Sequence, residues 1–418
     1  MSINNFIKSD YLKYLFLIFL IIFVSYNFIF SSKYYLFCVL AFALIYMFIF
    51  KTKLYYLDTW VLFFSLLGVS VIFLQLNIFL IIKIISIFLI LFYSYKSTFI
   101  PAISKNDFIF IIIIYMLLIL GLFYLNEQND ISTSTIDSVY YLLDGQNPYD
   151  IPEQTEIHQQ HFMYPPGMLF VYLPLCFLFG DIGYFLTNLL FFSVLLFLAH
   201  KIIFLFTRNK NLSRLGVILI FSLPLFLFES FLRWTNDMPV LFLVLFSVWL
   251  FVNEKYIFSF MVLSFAVCCK VYPIVILPIF FIILFKNKSY KKLFLSLIAF
   301  GGVFLIICFP FYLWNSLEFT HDMVHQITRP LESWEINSSA QYLLFGGYYF
   351  IISLFVLVAF YLWVYLKGGS YSIYFCISVL LFLFLFFSKT LHSNYLLFVI
   401  PFLIISLVEK MYTLNCKL

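Results

Sequence analysis

Apolar runs about as long as a membrane-crossing helix recur along almost the whole chain, and they constrain its fold more than any motif does. Of 418 residues, 65% are hydrophobic, 60 are Phe and only 10% are charged. Water cannot solvate a folded surface of that composition, whereas a helix bundle in lipid requires it. In hydrocarbon every backbone N–H and C=O must find a partner inside the protein, so such runs fold as helices. The expectation is an all-α polytopic membrane protein, with 1–418 as a single membrane-embedded domain. The net charge of +5 belongs to loops and gives no reason to expect nucleic-acid binding. The seven Cys lie in apolar segments or in the last few residues, so no disulfide framework is expected. The first apolar run follows Lys8 and Lys13 without a small-residue cleavage site and reads as a retained helix.

Spans are expected near 12–30, 34–50, 57–75, 78–94 and 107–125. After a polar interval come 183–206, 215–231, 238–253, 256–270, 272–285, 293–313, 342–365, 370–388 and 392–408. Segment 165–180 is apolar but short, opens Pro165-Pro166-Gly167 and is interrupted by Pro174. If it crossed, Lys201, Arg208, Lys210, Arg214 and the run Lys286, Lys288, Lys291, Lys292 would all face outward. If it is re-entrant or interfacial, the loops assigned to the cytoplasm hold 18 Lys and Arg and the external side holds five. Lys83, within a span, completes the 24. The positive-inside rule therefore selects about 14 spans (13–14), both termini inside, and a segment 165–180 that does not cross. Irregular backbone at membrane depth is tolerated where it lines a cavity, so a cavity is expected nearby.

Two external regions are long, 126–164 and 314–341. Between Asn126 and Met163 stand seven acids and no Lys or Arg, which places this loop on the far side of the membrane. Ser132 to Thr135 offer N-caps for a short helix over 136–144, which Gly145 and Pro148 stop. On it Asp137, Tyr141 and Asp144 share one face, and Asp137 falls in the first turn, where the helix dipole favours a carboxylate. A carboxylate so held can accept a proton from a hydroxyl. Periodicity alone favours a solvated acid decorating a helix N-terminus.

The loop contains Asp137-Ser-Val-Tyr-Tyr, then Gly145-Gln-Asn-Pro148-Tyr149, then Phe162-Met-Tyr164-Pro165-Pro166. This resembles the first external loop of C-superfamily membrane glycosyltransferases, above all family 87, the bacterial polyprenyl-phosphomannose-dependent mannosyltransferases. Arg233-Trp-Thr-Asn236-Asp237 and Lys270-Val-Tyr-Pro273 echo two later positions of that family, although Arg233-Trp-Thr stands where it often has Gly-Gln. The resemblance spans roughly 120–290. It implies Asp137 as the base of an inverting transfer, no cofactor and no required metal ion. It also makes Tyr149, Tyr164, Asn236 and Asp237 supporting or acceptor-binding positions beside Tyr141 and Asp144, and His321 or His325 a partner for Asp137 or the phosphate.

A lipid-phosphate donor needs cations at the external surface. Arg233, Lys270, Arg329 and Lys389 are costly external exceptions to the inside rule, and the first three are candidates for the phosphate. For Lys389 snorkelling to the interface is the simpler account. His321 and His325, at i and i+4, suit a proton relay or a metal, with no third ligand at supporting spacing. No Gly-rich phosphate loop is visible, which disfavours a nucleotide-sugar donor. The partners expected are a polyprenyl-phosphate sugar, a glycolipid or glycan acceptor and the lipid bilayer. Two alternatives remain. A polysaccharide polymerase or ligase would carry its catalytic loop late and rich in Arg, whereas 314–341 has only Arg329. A secondary transporter would show internal repeats and acids within spans.

Overall fold

The computed structural model describes residues 129–150, 162–221, 224–328, 349–386 and 393–415, with five isolated positions between 109 and 120. The first five expected spans therefore fall outside the described residues, apart from those isolated positions. Every described element is helical.

Helix α1, Asp130–Leu143, is set by its cap. Asn129 Oδ1 accepts from Ser132 N at 3.0 Å, and Ser132 Oγ accepts from Asn129 N at 3.1 Å, a reciprocal capping box. This corrects the expected start. Thr133 and Thr135, read as possible caps, sit inside the helix and return their hydroxyls to carbonyls four residues back. Asp130, not Asp137, is the acid of the first turn. The stop is as expected: Asp144 caps the end and Gly145 takes φ 71°. Asn147 Oδ1 then accepts from Tyr149 N at 3.1 Å, which turns the chain and sends the Tyr149 ring into the protein. That ring meets Phe162, Phe311 and Phe319 edge-on, and its hydroxyl donates to the Tyr164 carbonyl at 2.8 Å.

Helices α2 (Gly167–Phe179) and α3 (Ile182–Thr207) form a tight hairpin. A Cβ on Gly183 would lie 2.1 Å from the Leu175 carbonyl oxygen, so only glycine lets the two backbones meet there. At 13 residues α2 is about 20 Å long, short of the roughly 30 Å hydrocarbon layer. Helix α4 (Lys210–Phe221) leads to one turn at Pro224–Leu227 and a π-turn at Phe228–Leu232. Then follow α5 (Asp237–Val252), α6 (Tyr256–Cys269), a 3-10 turn at Tyr272–Ile276 running into α7 (Leu277–Lys286), and α8 (Tyr290–Trp314). Helices α9 (Ser316–Thr328), α10 (Tyr349–Lys367), α11 (Ile373–Phe386) and α12 (Leu396–Asn415) complete the described chain. Helix α9 occupies the first part of the second expected loop, so 316–328 is ordered helix where the sequence reads as a polar connection.

Helix α5 packs against α3 and α6, α6 against α8, and α12 against α11 and α3. Along α5 most positions are buried, as is 396–408 of α12. By contrast α8 and α10 expose Phe304, Leu305, Ile306, Ile351, Leu354 and Phe355 among others. An apolar surface of that extent suits lipid rather than water. Helices α3 and α8 are long and apolar enough to cross a membrane.

The bundle is polarised. Lys201 lies 4.8 Å from the Trp249 ring, Lys292 lies 5.1 Å from the Tyr256 ring, and Lys286 Nζ donates to the Tyr365 carbonyl at 2.6 Å. These contacts pair the C-terminal ends of α3 and α5, the N-terminal ends of α6 and α8, and the C-terminal ends of α7 and α10, and the short turns 253–255 and 287–289 tie the three pairs to one end of the bundle. The opposite ends, at Asp237, Lys270 and Asn315, carry no such lysine cluster among the described residues. Tyr164, which precedes α2, belongs to this second end.

Candidate active site

At the second end the start of α5, the end of α6 and the start of α2 converge. Asp237 is the first residue of α5 and Lys270 caps the end of α6, so acid and base each sit where the helix dipole favours their charge. Lys270 Nζ donates to Asp237 Oδ1 at 2.5 Å, and both side chains are buried. Tyr272 Oη donates to the same oxygen at 3.1 Å, and Asn394 Nδ2 donates to Asp237 Oδ2 at 2.7 Å. The carboxylate thus has a partner on each oxygen, as a buried charge requires. Lys270 Nζ also lies 5.3 Å from the Tyr164 ring centre. The Gly167 that follows Tyr164-Pro165-Pro166 explains this closeness, since a Cβ there would lie 2.6 Å from the Cys268 carbonyl oxygen. The start of α2 thereby rests directly on the backbone before Lys270.

The junction between the π-turn and α5 is held from α3. Asn188 Nδ2 donates to the Ser230 and Thr235 carbonyls, each at 3.0 Å, and Tyr172 Oη donates to Asn188 Oδ1 at 2.7 Å. Tyr184 stacks on Tyr172 at 4.2 Å and donates to the Trp234 carbonyl at 2.8 Å. Trp234 takes φ 51°, a left-handed conformation that a bulky residue adopts only when its surroundings impose it. Within this junction the Ser230 Oγ, Thr235 Oγ1 and Asn236 Oδ1 atoms are buried without a hydrogen-bond partner among the described residues. Unpaired polar atoms beside a buried ion pair mark a place that a polar ligand or water can complete.

The structure gathers some of the expected residues and separates others. Lys270, Asp237, Asn236 and Tyr164 come together, and Asn236 Nδ2 reaches Thr135 Oγ1 of α1 at 3.4 Å. Lys270 is not a free cation, because Asp237 neutralises it. Arg233 stands at the rim, its side chain 43% exposed and 3.9 Å from the buried Glu229 carboxylate. Tyr149 is an anchor of the loop rather than a surface that a substrate can touch, being 1% exposed. Asp137 and Tyr141 are half-buried on one face of α1, and Asp144 is exposed at its end. Tyr140, next along the helix, donates to Asp181 at 2.8 Å; partial burial and that carboxylate push its hydroxyl up to about 12. His321 is exposed with Nδ1 3.3 Å from buried Asp322, and no third His, Cys, Asp or Glu joins them among the described residues. Arg329 and the His325 side chain lie outside the described residues.

Sequence reasoning missed Tyr272, Asn394, Thr135 and Asn188. Asn188 carried a usable signal, an amide inside a 26-residue apolar helix. Asn394 meets Asp237 across 157 positions, a pairing no local pattern announces.

Residues 162–400 match glycosyltransferase family 87. The chain belongs to that family. This family 87 glycosyltransferase is accordingly a transferase that acts on a sugar donor and an acceptor, and its apolar helices fit a membrane protein. The match covers α2 to the start of α12, and with it Tyr164, Asn236, Asp237, Lys270 and Asn394; α1 precedes it. No curated protein matches the transferase significantly.

Proposed function

We propose that this transferase moves a sugar, mannose or another hexose or pentose, from a polyprenyl-phosphate donor to a glycolipid or glycan acceptor. The reaction takes place at the extracytoplasmic face of a bacterial inner membrane and inverts the anomeric centre. The observation that carries this reading is the buried Lys270–Asp237 pair beside Tyr164, at the helix ends remote from the lysine-rich ends. Lysine-rich ends belong in the cytoplasm, so the pair opens to the other side. A lipid-phosphate donor presents its phosphate at that depth. An ammonium group has three N–H donors, so Lys270 can keep Asp237 and still offer hydrogen bonds to the phosphate as its negative charge grows on leaving. Arg233 at the rim, and Arg329 from the later loop, supply further positive charge. A carboxylate of α1 takes the proton of the attacking hydroxyl in a single displacement, which inverts the sugar carbon. In this arrangement α2 does not cross the membrane, and Tyr141, Asp144 and His321 line the acceptor side.

The test is to supply the purified chain in lipid vesicles with labelled polyprenyl-phosphate sugars or, separately, with the matching nucleotide sugars. Label should pass to a lipid or glycan acceptor from the lipid-linked donor alone. Direct use of a nucleotide sugar would refute the donor class.

A further inference from the structure

We infer that the lysine-rich end of the bundle, opposite the Lys270–Asp237 pair, carries a binding site for one anionic diacyl phospholipid. A groove of about 580 Å³ lies between α5 and α6 and reaches the start of α8. That volume falls within the roughly 300–1,000 Å³ of ordinary small-molecule sites. Its walls are apolar: Phe246 and Leu250 come from α5, Phe258 and Val262 from α6. Phe258 is 62% exposed and Ile257, which also lines the groove, is 41% exposed. The groove therefore opens on the apolar outside of the bundle, where acyl chains lie.

The mouth of the groove is charged. Lys255, in the turn between α5 and α6, and Lys292, in the first turn of α8, both line it. Glu254 is the one acid among the residues that do so. The Lys292 ammonium lies 5.1 Å from the centre of the Tyr256 ring, which brings the N-terminus of α8 beside that of α6. Two helices that start side by side direct their positive dipole ends the same way, so they add to the lysine charge. Two cations against one carboxylate leave a net positive mouth above apolar walls.

A phosphodiester that carries two acyl chains is complementary to this arrangement, with negative charge at the mouth and hydrocarbon along the walls. A zwitterionic lipid brings a cation of its own to the same lysines and loses that advantage. On the topology proposed above, this end faces the cytoplasm, and headgroups of the inner leaflet stand at its level. The site is independent of the sugar transfer, because neither donor nor acceptor enters the argument.

The experiment takes the full chain, stripped of native lipid in an uncharged detergent, and counts bound dioleoyl phosphatidylglycerol by native mass spectrometry. Dioleoyl phosphatidylcholine and inorganic phosphate serve as separate ligands, and thermal unfolding is followed throughout. The parent should hold one phosphatidylglycerol more tightly than any further copy and than phosphatidylcholine, and inorganic phosphate should not displace it. Lys255→Gln and Lys292→Gln should each weaken the site about fivefold, and together about 25-fold, as a lysine near a membrane surface typically contributes. Glu254→Gln should tighten it, a gain that a misfolded variant cannot produce. Lys210→Gln, which removes a cation from the same end outside the groove, should leave it unchanged. Equal retention of phosphatidylcholine would overturn the assignment by showing a merely apolar groove. An equal loss in Lys210→Gln would do so by showing diffuse attraction, and displacement by inorganic phosphate by showing a site for free anions.

Discussion

Asp237 and Lys270 are buried together, and each would be costly without the other. Removing one partner of a buried pair leaves an uncompensated charge and typically costs about 3–5 kcal/mol, whereas removing both can be nearly neutral. Lys270→Met and Asp237→Asn should therefore each lower thermal stability in detergent markedly, and the double variant should be more stable than the sum of the two losses implies. Additive losses would show that the pair is not a unit. The same double variant separates structure from chemistry: on the proposed reading it should fold and still fail to use the donor, because the ammonium proposed to meet the phosphate is gone. At this scale the sequence was informative where a residue type was out of place. Lys270 between two apolar runs and the Asn236-Asp237 step at a helix junction were both visible. Their mutual contact was not, nor were Tyr272 and Asn394, since the pairings join positions 33, 35 and 157 residues apart.

Among the elements, the α2–α3 hairpin is the one whose geometry is least forgiving. Ala normally gains about 0.5–1 kcal/mol over Gly inside a helix. Gly301, in α8 with open space around it, should follow that rule on substitution to Ala. Gly183→Ala should do the reverse, with clear loss of stability and transfer, because the new Cβ meets the Leu175 carbonyl. Equal behaviour of the two variants, read by thermal unfolding, would contradict the close approach. Most described helices lie where the apolar runs place them; 183–206, for instance, is Ile182–Thr207, because a run of that length and composition has few other options. The start of α1 was not legible. Five residues, Asn129 and Ser132 to Thr135, can cap, and only the reciprocal bond between Asn129 and Ser132 decides among them. That displacement of the helix start is what moved the first-turn acid from Asp137 to Asp130. Helix α9 was hidden for another reason: its 13 residues mix charges with a narrow apolar face, and a polar composition resembles a loop.

For the whole molecule, the distribution of Lys and Arg along the sequence anticipated a polarised bundle, and the contacts of Lys201, Lys286 and Lys292 gather at ends opposite the Lys270–Asp237 pair. Positive charge is retained in the cytoplasm during insertion, so this polarity carries a direction as well as an axis. On the reading proposed above, the transfer site belongs on the outer side. The most direct test is transfer in sealed right-side-out vesicles, given a short-chain labelled polyprenyl-phosphate sugar on the outside only. Label should reach acceptor without opening the vesicles. Transfer that begins only after detergent opens the lysine-rich face to the donor would contradict the account.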